Sequence, residues 1–342
     1  FRSLVDVYRG SINAPTSLTK VLLYLSLFPQ LIAGPIVRYT DIQHEMDNRR
    51  FNLANFSAGV SRFAIGLGKK VILANTAGSL VTVFMDGPAG EMSVLGAWFG
   101  IVLYALQIYF DFSGYSDMAI GLGKMFGFTY PENFRYPYVS RSATEFWRRW
   151  NMSLGSFFRD YVYIPLGGNR RLQMRNIFVV WALTGLWHGA SWNFVLWGLY
   201  FFVLLVIEKT FLLRWFEKLP AWISHVYFIF IVLFGWVFFY FTDMAQGMRF
   251  FGALFGLDGQ PLIDTKLEIY FYDNIVFLAA GIIAATPLPA MAARKALAAL
   301  DRMMPLKRFA GAAAPVWHLL LLLVSTTLLV GSTYNPFLYF RF

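Results

Sequence analysis

A chain of 342 residues that is 58% hydrophobic, 19% aromatic and only 14% charged is too apolar for an ordinary soluble domain, where about 25% of residues carry charge. With a mean hydropathy of +0.53 it reads as a polytopic membrane protein, which sets aside the functions of soluble enzymes. Cysteine is absent, so a disulfide framework and any Cys-ligated metal or redox centre are excluded.

The net charge of +10 is unevenly spread. Nine Lys or Arg lie between Lys124 and Arg175, against Glu132, Glu145 and Asp160. In an apolar chain a basic loop is an orientation signal for the cytoplasmic face, not a nucleic-acid patch. Anionic phosphates at that face fit as partners. The chain opens F-R-S-L-V-D-V-Y-R-G, without an initiator methionine or signal peptide. The expectation is one domain, 1–342, entered part-way, with leading membrane helices missing.

In chain order, the apolar run Leu18 to Val37 contains Pro29, Gly34 and Pro35, which forbid a smooth helix. A kinked packing helix and a cavity lining remain open there. Phe56 to Phe84 is a long semi-apolar segment interrupted by Lys69 and Lys70. Neither G-L-G-K-K nor G-L-G-K at 121–124 has phosphate-loop spacing, so both read as small-residue helix packing. Trp98 to Ile120 is a strong span whose centre, Q-I-Y-F-D-F-S-G-Y-S-D-M, is polar. Asp111 and Asp117, six residues apart, point to different sides of a helix, which argues against a paired-carboxylate site. This stretch either lines a conduit through residues such as Asp111 and Ser113 or fixes packing by interhelical hydrogen bonds.

Between Pro137 and Pro165 the chain reads as one amphipathic helix. Ser142 or Thr144 would cap it, and Phe146, Trp150, Leu154, Phe157 and Tyr161 would form its apolar face. Residues 176–207 contain no formal charge but include His188. About 20 residues are needed per crossing, and both flanks are basic (Arg170, Arg171, Arg175; Lys209, Arg214, Lys218). A re-entrant or short paired-helix arrangement, broken at His188-Gly189-Ala190-Ser191, satisfies both facts. Trp222 to Phe241 is a further span, followed by an acidic loop from Asp243 to Asp273. Asn274 to Leu288 and Pro315 to Val330 are shorter candidates. His44 reads as a solvated loop residue, and His225 and His318 as packing histidines.

An ionisable group at membrane depth is a functional candidate. Four histidines without H-x-x-x-H or H-E-x-x-H spacing give no metal site, and no G-x-S-x-G marks a serine nucleophile. Neutral imidazole costs far less to bury than a charge and keeps a lone pair available as a general base. On these grounds alone, catalysis by His188 stands beside packing and transport roles.

Seven segments carry a resemblance: F-P-Q-L-I-A-G-P-I-V-R-Y (28–39), Y-F-D-F-S-G-Y-S-D-M-A-I-G-L-G (109–123), E-N-F-R-Y-P-Y (132–138), F-W-R-R-W-N-M-S-L (146–154), R-D-Y-V-Y-I-P-L-G-G (159–168), L-T-G-L-W-H-G-A-S-W (183–192) and Y-N-P-F-L-Y-F-R-F (334–342). Together they resemble the membrane-bound O-acyltransferase family, in its bacterial alginate O-acetylation branch. The resemblance implies an all-α bundle of transmembrane and broken helices around a central conduit, in the bacterial inner membrane. It implies His188 as the catalytic base. The family's second motif position falls on Asn151, where many alginate-type members carry His, so a His–Asn site is expected, with Asn151 stabilising charge on the thioester oxygen.

The donor implied is acetyl-CoA or a related acyl thioester, with no permanently bound cofactor. The acceptor is an exopolysaccharide reached through a periplasmic or extracellular acetyltransferase partner. Trp187, Arg148, Arg149, Trp150, Arg159, Asp111 and Ser113 are the expected substrate-binding residues, with the donor's phosphates between Arg135 and Arg175. D-alanyl transfer to teichoic acid, a transporter and an export scaffold are the competing readings.

Overall fold

The computed structural model describes residues 2–13, 17–30, 34–49, 51–87, 92–300, 304–331 and 338. The 31–33 part of the first proline-containing run lies outside these residues, as does the terminal 334–342 motif apart from Leu338. Helix is the only regular secondary structure among the described residues, which contain no strand. The amino-terminal elements are α1 (Arg2–Tyr8), α2 (Leu18–Ser26), α3 (Tyr39–Asp47), α4 (Leu53–Gly68), α5 (Asn75–Met85) and α6 (Val94–Met125). Two short helices follow, α7 (Ala143–Phe146) and α8 (Met152–Phe158), then α9 (Gln173–His188), α10 (Trp192–Ile207), α11 (Leu213–Phe216) and α12 (Ala221–Tyr240). The remainder is α13 (Met244–Phe255), α14 (Thr265–Ala284), α15 (Leu288–Leu300) and α16 (Met304–Val330). Four helical stretches are long and apolar enough to cross a membrane: Val94–Met125, Trp192–Phe216, Ala221–Tyr240 and Thr265–Ala284.

The centre is α6, a 32-residue helix with 72% of its most apolar window buried inside the protein. It packs on α4 through glycines. A Cβ at Gly66 would lie 2.6 Å from the Gly114 carbonyl oxygen, and one at Gly121 would lie 2.7 Å from that of Gly59. Backbone approaches this close replace the hydrophobic driving force that lipid cannot supply between helices. The glycines of the two lysine-flanked motifs therefore serve packing, as their spacing predicts.

The polar centre of α6 does not break the helix. Asp111, 4% exposed, accepts an ion pair from Lys70 at 2.5 Å and the backbone N–H of Leu338 at 2.7 Å. Asp117 is held by Lys69 and Arg62 at 2.7 and 2.6 Å, and Arg62 continues to Glu132 at 2.6 Å. Among the described residues no carboxylate dyad forms: Asp111 and Asp117 have separate partners, Lys70 for the first and Lys69 with Arg62 for the second. A π-helical turn, Lys69–Ala74, carries Lys69 and Lys70 to these partners.

One further expectation is corrected, and the break expected in the first proline-containing run is met. The acidic stretch Asp243 to Asp273 is not a loop but holds α13 and the first turns of α14. Asp243 caps α13 by accepting from Ala245 N at 2.8 Å, and Asp264 caps α14 by accepting from Leu267 N at 2.6 Å. The apolar run after Leu18 yields only the nine-residue α2 before the chain breaks at Leu27 and turns through Phe28–Gln30. His225 is a packing residue, its Nδ1 2.9 Å from the Ser140 carbonyl, while His44 sits exposed on α3.

Removing one partner of the buried Lys70–Asp111 pair strands a charge, so Lys70→Ala should cost about 3–5 kcal/mol. The double change Lys70→Met, Asp111→Leu should recover most of it. Unfolding of the detergent-solubilised protein, followed by circular dichroism, checks both.

Candidate active site

His188 is the last residue of α9, and Gly189 to Ser191 turn the chain into α10, at the break expected from the sequence. The two limbs of the hairpin touch through backbone. A Cβ at Gly185 would lie 2.5 Å from the Phe194 carbonyl oxygen, and one at Gly198 would lie 2.5 Å from that of Trp181. At about 1.5 Å per residue, the 16 residues of α9 reach roughly 24 Å, short of a bilayer core of about 30 Å. The return limb is longer than the uncharged stretch suggested. It continues through a π-helical turn, Glu208–Leu212, into α11 and gives 25 helical residues from Trp192 to Phe216.

The imidazole is seated among rings. Trp197 and Phe239 present edges to it at centroid distances of 5.0 and 5.1 Å, and Phe194 lies at 6.1 Å. Among the described residues no hydrogen bond reaches it. The ring is thus oriented by packing instead of by a carboxylate, which leaves its nitrogens available to a ligand.

The opposing wall comes from the segment expected as one amphipathic helix. Phe146, Trp150 and Leu154 are buried as read, but Phe157 and Tyr161 are only half-buried, and the helix is broken into α7, a turn over 147–151, and α8. Asn151 causes the break: it is 6% exposed and adopts the left-handed conformation, φ 43° and ψ 54°. Asparagine tolerates this geometry better than most residues. The break is clamped by Asn133. Its carbonyl accepts Met152 N at 3.0 Å, its side-chain oxygen accepts Ser153 N at 3.1 Å and Ser153 Oγ at 2.9 Å, and its amide donates to Ser116 Oγ of α6 at 3.1 Å. Ser142 caps α7 as expected, accepting from Glu145 N at 3.0 Å.

His188 and Asn151 line one pocket of about 320 Å³, together with Trp147, Arg148, Trp150, Arg159, Thr184 and Lys209. Four of the expected binding residues therefore need separate placement. Trp187 packs edge-on against His188 at 4.9 Å but lies 42% exposed outside the lining. Arg149 turns away to Glu145 at 2.8 Å and the Arg135 carbonyl at 3.2 Å. Asp111 and Ser113 belong to the α6 interior, outside this pocket. Trp147 and Lys209 are lining residues that the sequence reading did not select. Trp147 stands in F-W-R-R-W and could have been chosen with its neighbours; Lys209 reaches the pocket only through the fold-back of α10.

The cations differ in availability. Arg159 is tied to Asp160 at 2.7 Å, and Arg38 also binds Asp160. Burial alone would push the Asp160 carboxyl up, but the hydrogen bonds from Arg159 and Arg38 outweigh it and hold it below the ordinary carboxylate value. Arg148 and Lys209 have no ion-pair partner among the described residues. The site thus combines an imidazole, a buried amide and two unpaired cations around a cavity sized for part of a small molecule.

A broken-helix membrane bundle thus brings one histidine, one amide and two cations to a single pocket. The sequence comparisons supply the family. The model of the membrane-bound O-acyltransferase family matches residues 11–248, and the chain belongs to that family. It is an acyltransferase embedded in a membrane. A probable alginate O-acetylase of Pseudomonas putida is 36% identical over 99% of this chain and 72% of its own length. One from Pseudomonas fluorescens is 43% identical over 74% of this chain and 51% of its own. A peptidoglycan O-acetyltransferase of Helicobacter pylori is 37% identical over 78% and 53%.

Two outcomes follow. Asn151→Gly should keep the thermal stability of the parent, whereas Asn151→Ala should lose about 1 kcal/mol because alanine pays for the left-handed backbone; melting curves of the two variants decide. Because the Asp160 carboxyl is depressed in the folded state, its stabilisation is complete above its unfolded value of about 3.9 and is lost as pH falls below it. A melting temperature that drops on acidification below about pH 4, and drops less in Asp160→Asn, is the expected result.

Proposed function

We propose that this chain moves an acetyl group from acetyl-CoA, or a related thioester, towards O-acetylation of a secreted polysaccharide, with His188 as the general base. The reading is carried by the shared pocket of His188 and Asn151. His188 takes the proton of the acceptor hydroxyl as its oxygen attacks the thioester carbonyl. The tetrahedral oxyanion accepts a hydrogen bond from the Asn151 amide, and its collapse expels the thiolate, which receives the proton from the imidazolium. Preorganised donors at a developing oxyanion are usually the largest single catalytic contribution.

Two observations support the donor class and a third the acceptor. Arg148 and Lys209, unpaired at the pocket, suit the donor's phosphates. A volume near 320 Å³ suits a short acyl group on a thioester arm. The relatives' names, alginate O-acetylase and peptidoglycan O-acetyltransferase, place polymer hydroxyls as acceptors for those proteins. In this reading the enzyme is a multi-pass protein of the bacterial inner membrane. The basic flanks of the His188 hairpin face the cytoplasm, and a periplasmic or extracellular acetyltransferase completes delivery to the polymer.

His188→Ala should abolish polymer acetylation while the protein still inserts. Asn151→Gly, which keeps the backbone, should lower kcat by about 10²–10³. Mass analysis of the polysaccharide made by cells carrying each variant is the measurement, and undiminished acetyl content with His188→Ala would overturn the assignment.

A further inference from the structure

Glu208 is 0% exposed and lies outside the lining of the pocket. Its Oε1 accepts the Ala143 N–H at 2.6 Å, and its Oε2 accepts the Thr144 N–H at 2.8 Å and the Thr144 hydroxyl at 2.7 Å. The Tyr227 hydroxyl approaches Oε1 at 3.4 Å. The two backbone N–H groups can only donate, one to each carboxyl oxygen, and the two hydroxyls complete the shell. No Lys or Arg forms an ion pair with it among the described residues. A carboxylate at such depth, held by these donors with Lys209 acting on it only electrostatically, is costly to retain, and α7 already has an uncharged cap in Ser142.

Its position gives the reason. Glu208 ends α10, the limb returning from His188, and the next residue, Lys209, lines the pocket. Ala143 and Thr144 open α7, whose chain runs directly into Trp147, Arg148 and Asn151. Among the described residues, the three bonds to Glu208 are the only hydrogen bonds between 192–212 and 142–151. Aromatic contacts accompany them: Trp147 meets Trp197 and Phe201 edge-to-face at 5.4 and 4.9 Å. Ring packing holds two walls together, whereas paired hydrogen bonds set their register.

We propose that Glu208 is a positioning residue that fixes the Asn151 wall of the pocket against the His188 hairpin, an inference that rests on the acyl-transfer reading of that pocket. It touches no substrate. Its effect is to keep amide and imidazole at one spacing while the donor is bound.

The test uses the purified full chain with acetyl-CoA as donor and compares Glu208→Gln, Thr144→Val, Thr144→Ser and His188→Ala. Glutamine turns an NH2 group towards the N–H of Ala143 or Thr144 and breaks half of the linkage. Glu208→Gln should lower kcat per folded molecule by about ten- to a hundred-fold, as expected for a misplacement near 1 Å, with the donor KM changed less than about three-fold. Thr144→Val should give a smaller loss of the same kind, Thr144→Ser should restore the parental rate, and the Glu208→Gln, Thr144→Val double variant should be no worse than Glu208→Gln. Parental kcat in folded Glu208→Gln overturns the inference, as does a loss that follows only the folded fraction. His188→Ala judges the underlying reading separately, since full activity there removes His188 as base whatever Glu208 does.

Discussion

The close contact between Gly185 and Gly198 is the constraint on which the site depends. A chain that reverses within a membrane must satisfy its backbone inside the protein and bring two helices together without help from water. With a Cβ at either glycine falling 2.5 Å from a carbonyl oxygen of the other limb, any larger residue would wedge the hairpin open. Because α9 and α10 meet at backbone distance, His188 sits at the turn with Trp197 and Phe194 against its ring, and Lys209 returns to the level of the pocket.

The second wall is built by a different device. Helix is interrupted at Asn151, where the left-handed backbone would be a liability unless its neighbours were satisfied. Asn133 supplies that satisfaction and carries it to α6 through Ser116. The site is therefore hung from the most buried helix of the bundle, which is itself locked to α4 by reciprocal glycines and by the Lys70–Asp111 pair. Polar groups in this protein divide into two kinds: those consumed in holding helices, such as Asp111 and Asp117, and those left open, such as His188, Arg148 and Lys209.

Much of this was legible in the residues. An uncharged stretch with basic flanks and a Gly after the histidine marked the hairpin and its turn, because charge and hydropathy act locally along the chain. The glycine motifs announced close packing for the same reason. The F-W-R-R-W-N run announced a wall of the site, but its interruption at Asn151 was not visible, because the clamp comes from Asn133 eighteen residues earlier. Asp111 and Ser113 looked equally suited to a conduit, since a polar side chain in an apolar run does not reveal which neighbour satisfies it.

By itself the sequence determined the membrane class, through composition, and its motifs carried the resemblance that implied the family, the all-helical architecture and His188 as the residue to examine. Only the tertiary structure decided which polar residues are free. Lys209 and Glu208 are adjacent in the chain, yet the π-helical turn Glu208–Leu212 puts one at the pocket and buries the other under α7. That division is set by the rotation and contact of helices distant in sequence, which no local pattern encodes.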